Sequence, residues 1–442
     1  MPIKRRHFLS WIAVTASVAA MARRAFAQGK DKETGAQGKD SDAGGNDAAG
    51  SRAEPLFVSE TDARAVIREH CTGDVDAPIT EQQIDLLVSR LKPQFWLAHH
   101  RDGGWLCETR LGGAPDLPKG SAWPMRPVPP DASQKAEQWK VNHRWIARHI
   151  TQELPFEFIG QIDFAELSRE LESQFSLPAE GRLLFFWDGA VGLLESGSHT
   201  CRVIFDETPS TPLGEHIERL QFPAKFDEME AWWREPDPKA TAHFQKMAET
   251  LAGADQNAAA QAMRNLAEKS KSPDPHSRKP FVYPARAMKL VPLLVLPSQN
   301  SIELTQDAEL TAFANGDDTS EHYTLLTSND MGPFSADRSN MRRTQDYVSS
   351  EARRVRLLGP PHPEQDDPRF DALPKSELPP YPWNDAQIAE TSRKAADWLL
   401  LLQVSIADLT QLDTEGTVYF MVHKEDFAKR DFSRVVASYQ QT

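Results

Sequence analysis

The feature that most constrains the fold of this chain is a set of segments that occurs twice in the same order. With Gln161 placed over Gln403, FIGQIDFAEL (158–167) lies over LLLQVSIADL (400–409), and Gln, Ala and Leu are identical. Downstream, GRLLFFW (181–187) lies over GTVYFMV (416–422), each a glycine followed by a hydrophobic strand pattern. Upstream, RLGGAPDLP (110–118) has a weaker counterpart in RLLGPPHPEQ (356–365). Loop, Gln-bearing strand, short helix and Gly-led strand therefore recur in register, at a separation too long for a solenoid. The pattern predicts a pseudo-symmetric pair of half-domains with a seam between them.

Short apolar runs separated by Gly and Pro predict strands at Phe95–His99, Trp105–Arg110, Phe156–Asp163, Arg182–Trp187, Arg202–Phe205, Ala287–Leu296, Val355–Leu358, Trp398–Val404, Thr417–Val422 and Arg434–Ala437. Helices are expected over Thr61–His70, after the capping-box pattern Thr80-Glu81-Gln82-Gln83, over Ala165–Phe175 and across Phe226–Lys271. Strands without regular helix alternation point to an α+β class: mostly antiparallel sheet, two similar halves, helical insertions. The insertions are Pro130–Glu153 and Phe226–Pro280. In the second, Trp232 and Trp233 read as packing residues, with a ligand platform as the alternative.

The N-terminus reads as an address. Arg5-Arg6-His7-Phe8-Leu9 is followed by a short apolar stretch, then by Ala25-Phe26-Ala27 as a small-x-small cleavage pattern. This looks like a bacterial twin-arginine signal, with Arg5, Arg6, Phe8, Leu9, Ala25 and Ala27 as its marks. The expectation is export to the periplasm with cleavage after Ala27; an uncleaved signal acting as a membrane tether is the alternative. The precursor would then meet the export machinery, and the cleaved protein would have no stable membrane insertion. Residues 28–54 contain no large apolar side chain and read as a disordered tether. An N-terminal helical segment (55–94) follows, then one domain over 95–442: a first half of about 95–225, a helical insertion 226–280 and a second half of about 281–442. The formal net charge of −14 argues against nucleic acid as a partner, since such binding needs a basic face. Cys71, Cys107 and Cys201 allow at most one disulfide, and their spacing does not choose it.

Tests for chemistry find little. GxSxG, HExxH, GxGxxG and P-loop patterns do not occur, no CxxC exists, and no cofactor, metal or catalytic residue is assigned. His99-His100-Arg101-Asp102 is the densest potential ligand cluster; strand alternation would put His100 and Asp102 on one face and His99 on the other. Asp163, Glu166 and Asp188 could supply an acid/base pair, a weak signal in an acidic chain. Gln161 and Gln403 interrupt apolar strands at equivalent places. Simple alternation sets Gln161 on the face of Ile159, and Gln403 on the face of Leu401. Each amide is expected to find buried partners, with Gly112-Gly113 as a nearby source, or else to line a cleft between the halves. Trp123, beside Pro124, reads as a packed loop anchor.

The residues of the repeat also carry a resemblance. Leu111-Gly112-Gly113-Ala114-Pro115-Asp116-Leu117-Pro118, Trp123-Pro124, Phe158-Ile159-Gly160-Gln161-Ile162-Asp163 and Gly181-x-Leu183-Leu184-Phe185-Phe186 resemble the YwqG-like family of bacterial proteins of unknown function. Leu357-Leu358-Gly359, Leu400-Leu401-Leu402-Gln403, Gly416-x-x-Tyr419-Phe420 and Asp431-Phe432-Ser433 continue it in the second half. The resemblance implies an α+β fold of two similar halves and brings no activity. Two function classes follow: a periplasmic binding or protein-interaction module with a protein or small-molecule partner, and a hydrolase acting on envelope material through a site assembled from distant positions.

Overall fold

The computed structural model describes residues 59–71, 78–140, 144–166, 180–208, 215–236, 238–253, 256–271, 281–327, 355–380, 383–410 and 416–441. The signal residues Arg5, Arg6, Phe8, Leu9, Ala25 and Ala27, and the tether, lie outside them, as does most of the expected helix Ala165–Phe175. Two compact units are present. The smaller takes its described residues from 135–148 and 227–271. Its helices Pro238–Gly253 and Asn257–Lys271 pack side by side, with Ala248, Ala260, Met263 and Ala267 buried. The Arg148 guanidinium lies 4.1 Å over the buried Trp232 ring and pairs with Glu235 at 2.8 Å.

The larger unit is a mixed α/β body dominated by an antiparallel sheet. Its ten strands are β1 (Lys92–Asp102), β2 (Arg110–Leu111), β6 (Glu157–Asp163), β7 (Arg182–Trp187), β8 (Cys201–Asp206), β10 (Arg286–Val295), β11 (Arg356–Leu357), β12 (Trp398–Ser405), β13 (Thr417–His423) and β14 (Val436–Gln440). Two small pairs, β3 (Asp116–Pro118) with β9 (Ile217–Arg219) and β4 (Met125–Arg126) with β5 (Leu154–Pro155), lie beside it. The strand order is β14-β13-β12-β11-β1-β10-β2-β6-β7-β8. Read inward from either end, it presents an edge strand, a Gly-led strand, a Gln-bearing strand and a two-residue Arg-Leu strand, meeting at the long central pair β1 and β10. The ends come together: Gly197, just before β8, forms an antiparallel bridge with Ala437 of β14. One face is thereby wrapped around a common core, in which Phe185 meets Phe420 at 5.3 Å and Trp187 stacks on Tyr439 at 6.1 Å.

Register in the two wings follows from matched irregularities. β6 and β7 pair through Phe158 with Phe186 and then Gly160 with Phe185, leaving Ile159 bulged. β12 and β13 pair through Leu400 with Met421 and then Leu402 with Phe420, leaving Leu401 bulged. A bulge inserts one residue and reverses the alternation beyond it. Gln161 therefore shares the outer face with Phe158, not with Ile159, and Gln403 shares it with Leu400, not with Leu401, correcting the simple alternation. Arg110 pairs with Gln161, and Arg356 with Gln403. Both Gly-led strands start at a left-handed glycine, Gly181 (φ +103°) and Gly416 (φ +106°), whose carbonyls accept from Phe164 N–H at 2.9 Å and Ile406 N–H at 2.8 Å.

The expected strand Trp105–Arg110 does not form; only Arg110 and Leu111 join the sheet. Gly103 (φ +81°) and Cys107 (φ +67°) turn the backbone left-handed, which breaks a ladder. The capped helices Glu60–His70 and Glu81–Ser89 bury Ala63, Ile67, Ile84 and Leu87 with Leu304, Leu310, Phe313 and Tyr323 from the helices over 302–327. Thr80 and Gln83 form the expected capping box. All three cysteines are buried and none forms a disulfide, and burial pushes Cys71 and Cys201 up to about 12.

Candidate functional site

The buried polar centre of the first wing is Arg110, Asp116 and Gln161, all fully buried on the outer face. Asp116 enters from β3 and takes an ion pair from Arg110 and a second from Arg219 of β9 at 2.8 Å. The Cys107 N–H donates to the same carboxylate at 2.8 Å. Burial alone would raise the Asp116 carboxyl; Arg219, Arg110 and the Cys107 N–H outweigh it and hold the group below the ordinary carboxylate range. Gln161 completes the set. Its Oε1 accepts from the Asp116 N–H at 3.2 Å, and its Nε2 donates to the Glu108 carbonyl and to Asp116 Oδ2, both at 3.0 Å. Its partners are thus not Gly112 and Gly113, whose N–H groups donate to the Ile159 and Tyr283 carbonyls at 2.8 and 2.9 Å. Gly112 has φ +64°, and a Cβ there would fall 2.1 Å from the Pro284 carbonyl oxygen.

This centre holds up the loop from Gly103 to Glu108. Arg219 donates to the Gly104 carbonyl at 3.0 Å and the Trp105 carbonyl at 2.8 Å, and the Trp105 N–H donates to Glu108 Oε2 at 2.8 Å. Arg101 pairs with Glu108 and lies 4.1 Å over the Trp105 ring. The backbone is held at several points, yet the Trp105 side chain is 72% exposed. Composition and alternation alone do not single out Trp105 or Arg219, and Arg101 stands out only as part of the His99–Asp102 cluster; the Gly103-Gly104 pair before the tryptophan is the local signal for a turn.

In the second wing, Arg356 is buried beside His362, which follows it by the same spacing as Asp116 follows Arg110. The His362 N–H donates to Gln403 Oε1 at 2.9 Å, and His362 Nε2 bonds the Thr327 carbonyl at 3.0 Å. Burial and then the Arg356 charge push the imidazole down to about 3, so it is neutral at physiological pH. Tyr419 donates to the His362 carbonyl at 3.0 Å. Both glutamines are buried.

Residues 109–440 match the family described as a domain of unknown function, DUF1963. The chain belongs to that family. No curated protein matches it. The matched segment of the DUF1963 domain holds the Arg110–Asp116–Gln161 centre and the Arg356–His362–Gln403 centre.

The other residues singled out in sequence are dispersed through the DUF1963 domain. A register shift between His99 and Arg101 brings His99 Nε2 to 3.3 Å from Asp102, where plain alternation would separate them. His99 also lines a tight crevice with Leu97, Arg286, Met288, Val355 and Asp408, with no room for a small molecule. The three carboxylates do not form one group. Glu166 is pushed up by burial, with Asp163 adding to it, while Asp188 pairs with Arg126 elsewhere. Trp123 donates to the Phe156 carbonyl at 2.8 Å and packs on Phe186, Phe222 and Phe226. Among the described residues no group of three His, Cys, Asp or Glu side chains could hold a metal ion, and no helix is long and apolar enough to cross a membrane.

Proposed function

We propose that this domain is a protein-interaction module that docks an extended, apolar partner segment on Trp105. The observation carrying this reading is an exposed indole on a loop whose backbone is held by Arg219 and Glu108. Binding hot spots are enriched in Trp and Arg, and a pre-ordered loop loses little entropy on docking. Covering the open part of the ring, on the order of 150 Å², contributes about 3–4 kcal/mol before ordering costs. The partner would be met outside the cytoplasm, because the twin-arginine pattern at Arg5 and Arg6 addresses the precursor to the periplasm. The test is site-specific photo-crosslinking in cells from position 105, with position 125 as the control, since Met125 is also exposed. A discrete cross-linked species from 105 alone is expected, with affinity for it falling at least 30-fold in Trp105→Ala. No species, or the same species from both positions, rejects the reading.

The finer assignment is to the YwqG-like pattern, as a duplication of one half-domain. Its support is the mirrored strand order, the matched bulges at Ile159 and Leu401, and the matched pairs Arg110–Gln161 and Arg356–Gln403. Central contacts agree as well: Met288 N–H donates to the Thr109 carbonyl and Leu97 N–H to the Val355 carbonyl, both at 3.0 Å. An experimental structure in which one rotation failed to carry β6 and β7 onto β12 and β13 would reject it.

A further inference from the structure

Glu157 stands on the inner face at the start of β6, opposite Trp187, and is 2% exposed. Its Oε2 accepts the Tyr283 hydroxyl, and its Oε1 accepts the Gly189 N–H at 3.0 Å. A Cβ at Gly189 would fall 2.6 Å from Glu157 Oε2, so the turn after β7 lies directly on the carboxyl. The neighbouring Asp188 is paired with Arg126 of β4 and accepts from the Ala190 and Val191 N–H groups at 2.9 Å each. The titratable and charged groups around Glu157 are therefore Tyr283, ahead of β10, Asp188, and Arg126 behind Asp188. Burial, and after it the Asp188 charge, raise the Glu157 carboxyl to about 8 against the pull of Tyr283 and Gly189. Tyr283 is itself driven well above its ordinary value by burial and by Glu157, so it stays a hydroxyl donor.

The same turn runs to the place where the sheet ends meet. Gly192 packs on the Trp187 indole, Trp187 stacks on Tyr439, and Gly197 bridges Ala437. We propose that Glu157 is a proton-operated latch on this seam. Protonated, it lets the turn over 188–200 close on β6 and β14. Ionised, it no longer tolerates burial away from water, so the turn opens to hydrate it and frees the Gly197–Ala437 bridge. This inference stands independently of the role given to Trp105.

The linkage has a fixed sign. A carboxyl that titrates near 8 when closed and near 4.5 when open holds its proton more tightly in the closed state. Closure is then strongest in acid, weakens by up to tenfold per pH unit between about 5 and 8, and levels off above that. Titration of a buried neutral histidine runs the other way, loosening structure in acid.

Amide hydrogen exchange read by mass spectrometry, corrected for the intrinsic pH dependence of exchange, tests the latch in the intact protein. Peptides over 187–200 and 434–441 are expected to lose at least 30-fold in protection between pH 5.5 and 8, while a control peptide over 400–410 changes less than threefold. Glu157→Gln keeps the shape without the titration and should flatten the profile. Asp188→Asn removes the like charge and should move the plateau to lower pH, which carries the comparison if Glu157→Gln does not fold. A flat wild-type profile, an unchanged slope in Glu157→Gln, or an equal loss in the control peptide would overturn the latch.

Discussion

Replacing Gln161 by Ala removes an amide whose three hydrogen bonds all lie inside the protein. Asp116 would keep Arg110, Arg219 and the Cys107 N–H, so its carboxylate stays satisfied. Two groups would be stranded: the Asp116 N–H and the Glu108 carbonyl. Each buried, unpaired backbone group costs about 1–3 kcal/mol, so the expected loss is about 2–4 kcal/mol after some relaxation. Gln403→Ala breaks one described bond, from the His362 N–H, and should cost about 1–2 kcal/mol. Gln161→Met separates the polar loss from lost volume, because it fills the space with no hydrogen bonds. Urea unfolding followed by circular dichroism measures all three, with the midpoint compared at constant slope. The expected ranking is Gln161→Ala and Gln161→Met together as most destabilised, then Gln403→Ala. A Gln161→Met variant as stable as wild type would refute the reasoning, because it would show that packing and not the amide holds the centre.

Asp116→Asn leaves Arg110 fully buried without its carboxylate and should destabilise the domain by about 3–5 kcal/mol, read as a lower urea midpoint. His362 titrates near 3 when folded against about 6.5 unfolded, so its contribution is full above pH 6.5 and is lost as pH falls towards 3. Wild type should therefore lose up to about 1.4 kcal/mol more per pH unit than His362→Gln across that window, and equal slopes in urea titrations would contradict it. Gly112→Ala meets both a left-handed φ and the Pro284 carbonyl, so soluble expression or the thermal midpoint should fall sharply; an unchanged midpoint would show that the loop can move.

Much of this fold is written locally. Arg182–Trp187 reads as a strand from its unbroken apolar run, and Thr80 with Gln83 announces a helix start, because both depend on neighbouring residues alone. The twice-occurring segment order is also legible without coordinates. The faces of Gln161 and Gln403 are not, because each follows a bulge at Ile159 or Leu401, and a bulge belongs to a pair of strands. The loop at Trp105 shows the same limit. Its residues look strand-like in isolation, but Arg219, more than a hundred positions away, holds the carbonyls of Gly104 and Trp105 in a turn. Local propensity set the strands and caps of this protein. Tertiary structure alone decided which polar side chains are buried together, because those meetings depend on register and on contacts between segments far apart in the chain.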